Sequence, residues 1–173
     1  MRVTREIAEN VSKALLKNKK EAIEIMEKEL AEKATHLADS KIDNKLMTAF
    51  EKHKMYFCTT ETVKFNAIIN DTHQFIQISI GKELPRKSEG SWVINLTVED
   101  SEFLNLEDLK KKIEKARETY SKSLEIVQET IYGLRTYKSV EQNFPEAFEL
   151  LPKSTNGTML PMLDLEKVRS LVK

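Results

Sequence analysis

The apolar residues of this chain change period twice, and that change limits its fold more than any other feature. Ile7, Val11 and Leu15, then Ala22, Met26, Leu30, Ala34 and Leu37 past a gap around Asn18, recur at helical spacing. They predict one amphipathic helix from Arg5 to Ala38, capped by Thr4 and broken at Asp39 and Ser40. A shorter helix follows through Ile42, Leu46, Ala49 and Phe50. The period then falls to two. Val63, Phe65, Ala67 and Ile69 share a face of one strand, and Ile76, Ile78 and Ile80 share a face of the next. Asn70–Asp71 between them reads as a hairpin turn. After the polar loop KELPRKSEGS, Trp92, Ile94, Leu96 and Val98 mark a third strand, and Met55–Cys58 offers a short fourth one. Strands with one apolar and one wetted face suit an antiparallel sheet backed by helices.

The helical period then returns. Asn105 can cap a long helix whose apolar positions run Leu106, Leu109, Ile113, Ala116, Tyr120, Leu124, Val127, Ile131 and Leu134. Steps of three and four make this close to a heptad seam, with a drift at Leu124. The stretch SVEQNFPEAFELLP follows. Ser139 with Gln142 has the form of a capping box, Pro145 can begin a second helical turn, and Pro152 ends it. Phe144, Phe148 and Leu151 fall on one face, with Leu150 off it. Phe144, Pro145, Phe148 and Leu151 therefore read as a structural clamp holding the end of the long helix to the core. Asp164 can cap a terminal helix through Leu165, Val168 and Leu171.

The expected fold class is α+β: a small antiparallel sheet of three or four strands packed with two long amphipathic helices and short C-terminal helices. At 173 residues a single domain is expected. It comprises an N-terminal helical part over 1–54, an antiparallel β-meander over 55–100, and the long helix with short C-terminal helices over 105–173.

Composition narrows the function. The 28 basic residues balance 28 acidic ones, which argues against a general nucleic-acid coat. The four glycines are far apart, so neither a dinucleotide fingerprint nor a phosphate loop can be written. The lone Cys58 excludes an internal disulfide and any cysteine-rich zinc site, and fits a reducing cytoplasm. No apolar run approaches the ~20 residues that span a bilayer. The N-terminus lacks an apolar signal core, so a cytoplasmic protein without a membrane partner is expected.

His36, His53 and His73 have no metal-ligand spacing, and no metal or cofactor is expected. Asp71 with His73 sits at a turn, where polar residues belong anyway. Cys58 has no recognisable base, and Ser121 and Ser123 lack a nucleophile elbow. Acid pairs such as Glu27/Glu29 and Glu107/Asp108 are interleaved with lysines and read as solvated surface. A basic cluster carries more information. Lys13, Lys17 and Lys20 share a helical face, and Arg86–Lys87 in the loop could extend it. Such a patch can meet phosphate or an acidic protein, and its plainer reading is a solvated helix face. Aromatics beside basic residues are few (Tyr56, Tyr132, Tyr137), so a base-stacking platform is only weakly marked.

Leu84–Pro85, Leu134–Arg135 and the segment Phe144–Pro–Glu–Ala–Phe–Glu–Leu–Leu–Pro152 give the chain a resemblance. In this element order it resembles small phage-encoded proteins grouped as a nucleotide-modification-associated domain family. In those proteins the aromatic before Pro-Glu is often tryptophan, whereas here it is Phe144. The resemblance implies a phage origin and an association with nucleic-acid modification, and it brings no catalytic residues. The expected function is a non-catalytic binding protein, an accessory or counter-defence factor acting on a host or phage protein that handles nucleic acid. Direct contact with nucleic acid through the local basic face and a homodimer are both compatible with it. Two alternatives stand beside it: an enzyme or cofactor of nucleotide or DNA modification, and a scaffold assembling through the near-heptad helix.

Overall fold

The computed structural model of the protein describes residues 1–53, 59–85 and 93–152. In chain order its elements are α1 (Arg5–Leu15), α2 (Lys17–Lys41), α3 (Asn44–Lys52), β1 (Thr59–Ile69), β2 (Thr72–Pro85), β3 (Ile94–Thr97), α4 (Asp100–Gly133), α5 (Tyr137–Asn143) and α6 (Pro145–Phe148). This is an α+β fold. Contacts divide it into a sheet unit, residues 24–114, and a helical unit that joins residues 1–23 to the chain from Lys115.

In the sheet unit the strand order is β2-β1-β3. β1 and β2 form the expected antiparallel hairpin around Asn70 and Asp71. Both turn residues have positive φ, 50° and 58°, the left-handed pair of a type I′ turn. Asn and Asp tolerate that conformation better than other non-glycine residues. The sheet is mixed rather than antiparallel, because β3 runs parallel to β1 on its far side. Alternation in β3 fixes which side chains face inward, but it carries no record of strand direction or neighbour. β2 also extends through Leu84–Pro85, which the sequence pattern placed in a loop. Register shifts between Thr60 and Thr62, where the Thr62 N–H donates to Thr60 Oγ1 at 3.2 Å, and Leu84 beyond that shift is fully buried. A fourth strand at Met55–Cys58 and the start of the third at Trp92 lie outside the described residues.

The inner face of the sheet carries Val63, Phe65, Ala67, Ile76, Ile78 and Ile80, all buried. The same unit buries Leu30, Ala34 and Ala38 of α2, and Phe103, Leu106 and Ile113 of α4. Asp39 does not break α2, which continues to Lys41. Its carboxylate instead holds Lys82 of β2 at 2.8 Å. Asp43 caps α3 by accepting the Lys45 N–H. α4 begins at Asp100, five residues before the expected cap at Asn105. The Glu99 N–H donates to Glu102 Oε2 at 2.9 Å, so the third helical residue secures the residue that opens the helix. The earlier start makes Phe103, 1% exposed, a helical core residue.

In the helical unit, Thr4 caps α1 by accepting the Ile7 N–H at 3.2 Å. The single long helix expected from Arg5 to Ala38 is two helices, joined at Leu16. The joint moves the buried stripe: Ala22 is exposed and Ile23 takes the inward position. One cluster gathers Val3, Ile7, Ala8, Val11, Ile131, Val140, Ala147, Leu150 and Leu151. Val127, Leu134, Phe144 and Phe148 pack against it half-buried.

The turn after α4 brings the chain's first residues into this unit. Arg135 adopts φ of 60°, and its carbonyl accepts the Val3 N–H at 2.8 Å. The Tyr137 N–H donates to the Met1 carbonyl at 3.1 Å. Because the chain reverses at once, α5 starts three residues earlier than the capping box at Ser139 suggested. Thr136 is its cap, accepting the Ser139 N–H at 3.2 Å. Pro145 opens α6 as expected. Leu150, which spacing put off the apolar face, is buried beside Leu151 because the chain leaves the helix after Phe148. The terminal helix expected after Asp164 lies outside the described residues.

Candidate functional site

Lys13 lies in α1, and Lys17 and Lys20 lie in the first turn of α2, so the expected basic face straddles the Leu16 joint. Lys13 and Lys17 each have a carboxylate one helical turn away. Lys13 Nζ is 2.5 Å from Glu9 Oε1, and Lys17 Nζ is 3.3 Å from Glu21 Oε1. The hydrogen bond that Lys13 donates to Glu9, then the charge of that carboxylate, raises the Lys13 pKa above its ordinary value. Exposed pairs of this kind are worth little, so an incoming phosphate or acidic side chain can replace the glutamate. Arg86 and Lys87 lie outside the described residues.

The other motifs stay apart. His36, His53 and His73 are all exposed. Glu29 and Glu107 are paired with Lys33 and Lys111 on their own helices. No group of three or more His, Cys, Asp or Glu among the described residues could hold a metal ion. No helix among them is long and apolar enough to cross a membrane. Of the clamp residues, Leu151 is buried, Phe144 and Phe148 are half-buried, and Pro145 is exposed. Of the heptad-like seam of α4, Leu106, Ile113 and Ile131 are buried, whereas Leu109, Ala116, Tyr120, Leu124, Val127 and Leu134 are half-buried.

Two arrangements were not anticipated from the sequence. In the helical unit the Tyr137 hydroxyl is buried with no hydrogen-bond partner among the described residues, and burial raises its pKa. In the sheet unit, Lys64 Nζ sits 3.9 Å from the centroid of the Phe75 ring, on the face opposite the core. Phe75 is 63% exposed there. The hairpin register explains the meeting: Asn66 stands opposite Phe75 and Lys64 opposite Gln77, so Lys64 is the diagonal neighbour of Phe75. The turn at Asn70–Asp71 already implied that register. Reading basic–aromatic pairs along the chain alone passed over one assembled across two strands.

No curated protein and no solved structure matches this chain. A family model does, over residues 1–173, and it is described as nucleotide modification associated domain 5. The Leu84–Pro85 strand end, the left-handed turn at Leu134–Arg135 and the Phe144–Pro152 segment thus sit within a match that spans the whole sequence, and the chain belongs to the nucleotide modification associated domain 5 family.

Proposed function

We propose that this protein works by binding, as a phage-encoded accessory or counter-defence factor that engages a host or phage protein handling nucleic acid. The observation that carries the nucleic-acid setting is family membership over the whole chain. The contact surfaces we assign are the lysine face Lys13, Lys17 and Lys20 and, as a separate element of sequence, the pair Arg86 and Lys87. The exchangeable pairs at Lys13 and Lys17 support the first, because they keep the ammonium groups at the surface at small cost to a partner that displaces the glutamates.

Affinity capture from infected cells, run with and without nuclease, tests the proposal. A stoichiometric protein partner that survives nuclease, and is lost when Lys13, Lys17 and Lys20 are changed together to Glu, is the expected result. Recovery of no such partner overturns it. The family description also favours a second reading, a part in nucleotide or DNA modification itself. That reading expects altered nucleosides, by mass spectrometry of digested DNA, in cells that express the protein.

A further inference from the structure

We propose that the outer face of the sheet binds single-stranded nucleic acid, with one base stacked on Phe75 and a neighbouring phosphate held by Lys64. A lone exposed phenylalanine would carry no such meaning, since scattered apolar residues are normal on protein surfaces. Its surroundings do. Lys64 Nζ lies over one face of the largely exposed Phe75 ring, so a base that stacks there takes the place of the ammonium, which is then within reach of that base's phosphate. The adjacent outward positions hold hydrogen-bonding groups: Asn66 and Gln77 in the hairpin, and Asn95 and Thr97 on β3, paired in register with Lys64 and Asn66. Amide side chains both donate and accept, which suits the edges of any base. The Asn66 amide nitrogen already donates to the Leu96 carbonyl at 3.4 Å, which ties β1 to β3 and turns the side-chain oxygen into the remaining group for a ligand.

Charge on this face is complementary to phosphate although the chain as a whole is neutral. Outward positions between 62 and 68, 73 and 79, and 95 and 97 hold no carboxylate. Glu61 and Glu83 lie beyond that stretch, both within the register shift. A protein partner would ask for a contiguous apolar centre, and Phe75 with Ile68 is too little for one. An unpaired base needs only a stacking surface, edge partners and local positive charge. A duplex hides its base faces and cannot use Phe75. Three strands spaced ~4.8 Å apart give a platform about two bases wide. The proposal draws on residues other than the helical lysines, so it and the protein-partner reading can fail separately.

Fluorescence anisotropy of the full chain with a labelled ten-nucleotide oligothymidylate tests it, with oligouridylate in parallel to report on the sugar and a duplex of equal length as control. Binding of either single strand in preference to the duplex is expected. Phe75→Ala weakens it about five-fold or more, and Phe75→Tyr preserves it. Lys64→Gln lowers the slope of log affinity against log salt by about 0.7, the release expected from one phosphate contact to a single strand. Circular dichroism should show all three variants folded, since the altered side chains lie on the outer face. Equal affinity of Phe75→Ala and wild type, equal affinity for duplex and single strand, or no saturable binding overturns the proposal. So does binding that disappears only when Lys13, Lys17 and Lys20 are changed to Glu.

Discussion

The sheet unit draws its core from one continuous stretch, residues 24–114, whereas the helical unit draws its core from both ends of the described chain. The two also differ in the size of the side chains they bury completely, since those of the sheet unit include the aromatic rings of Phe65 and Phe103 and those of the helical unit do not. Val63, Phe65 and Leu84 are fully buried, each in a strand whose neighbours close over it. In the helical unit, Val11, Ile131 and Val140 reach that state, but much of the apolar surface is shared among half-buried residues such as Val127, Leu134, Phe144 and Phe148. A period of two commits every second residue to the inside. Short helices meeting at their ends leave wide, partly wetted flanks. Loss of one side chain should therefore be concentrated in the sheet unit and diluted in the helical one.

Phe65→Ala is the sharpest way to break that comparison. Removing a fully buried phenylalanine from the central strand should cost about 3–5 kcal/mol, read from the urea midpoint of circular dichroism. Phe148→Ala should cost roughly half as much, about 1.5–2.5 kcal/mol, because its ring is only half-buried. Equal costs would show that the half-buried flank is packed as tightly as the strand. The sequence segment around Phe148 gave an exaggerated picture here. Its spacing put Phe144, Phe148 and Leu151 on one inward face, whereas Ala147, Leu150 and Leu151 take the deepest positions. Helical periodicity holds only while the helix lasts, and α6 is one turn long.

Tyr137→Phe probes the helical unit from the opposite side, as a gain. The buried hydroxyl has no partner among the described residues, so removing it should stabilise the protein by about 1 kcal/mol at neutral pH. Burial raises the phenol's pKa in the folded state. As pH rises through the unfolded value of about 10, the unfolded chain ionises first, so this residue's contribution is intact below that pH and lost above it. Urea midpoints followed from pH 8 to 11 should fall less steeply in Tyr137→Phe than in wild type. A destabilised variant would mean that the hydroxyl is satisfied in solution.

How far the fold was legible follows from which physics leaves a trace in sequence. The Thr4 cap, the Asn70–Asp71 turn, the Pro145 start and the alternating strands are local, and each was readable from a few residues. What escaped was decided by distant partners. β3 lies beside β1 because of how the sheet assembles, and nothing in INLT encodes that. Asp39 looked like a breaker because Lys82 is 43 residues away. Arg135 can hold a left-handed turn because Val3 donates to its carbonyl. The candidate surfaces divide in the same way. Lys13, Lys17 and Lys20 could be read along a helix, while Lys64 on Phe75 exists only once the hairpin is paired.

The smallest effect is expected at Glu102, where α4 opens in the sheet unit. The Glu99 N–H, and after it the Lys41 ammonium at 2.9 Å, hold the Glu102 carboxyl below its ordinary pKa. A depressed carboxylate stabilises the fold above its unfolded value, about 4.3, and that contribution is lost as pH falls through the lower folded value. Glu102→Gln keeps an acceptor for the Glu99 N–H but removes the charge facing Lys41. It should therefore leave a shift near neutral pH smaller than that of Tyr137→Phe, and flatten the acid limb of stability below about pH 5. Lys41 offers the contrast within the same unit, since its pair with Glu102 can be removed while the Glu99 N–H keeps its acceptor. If Lys41→Met flattened the acid limb as much as Glu102→Gln does, ion pairing alone would account for the effect. If only Glu102→Gln does so, the hydrogen bond that opens α4 is the larger cause, as the local geometry requires.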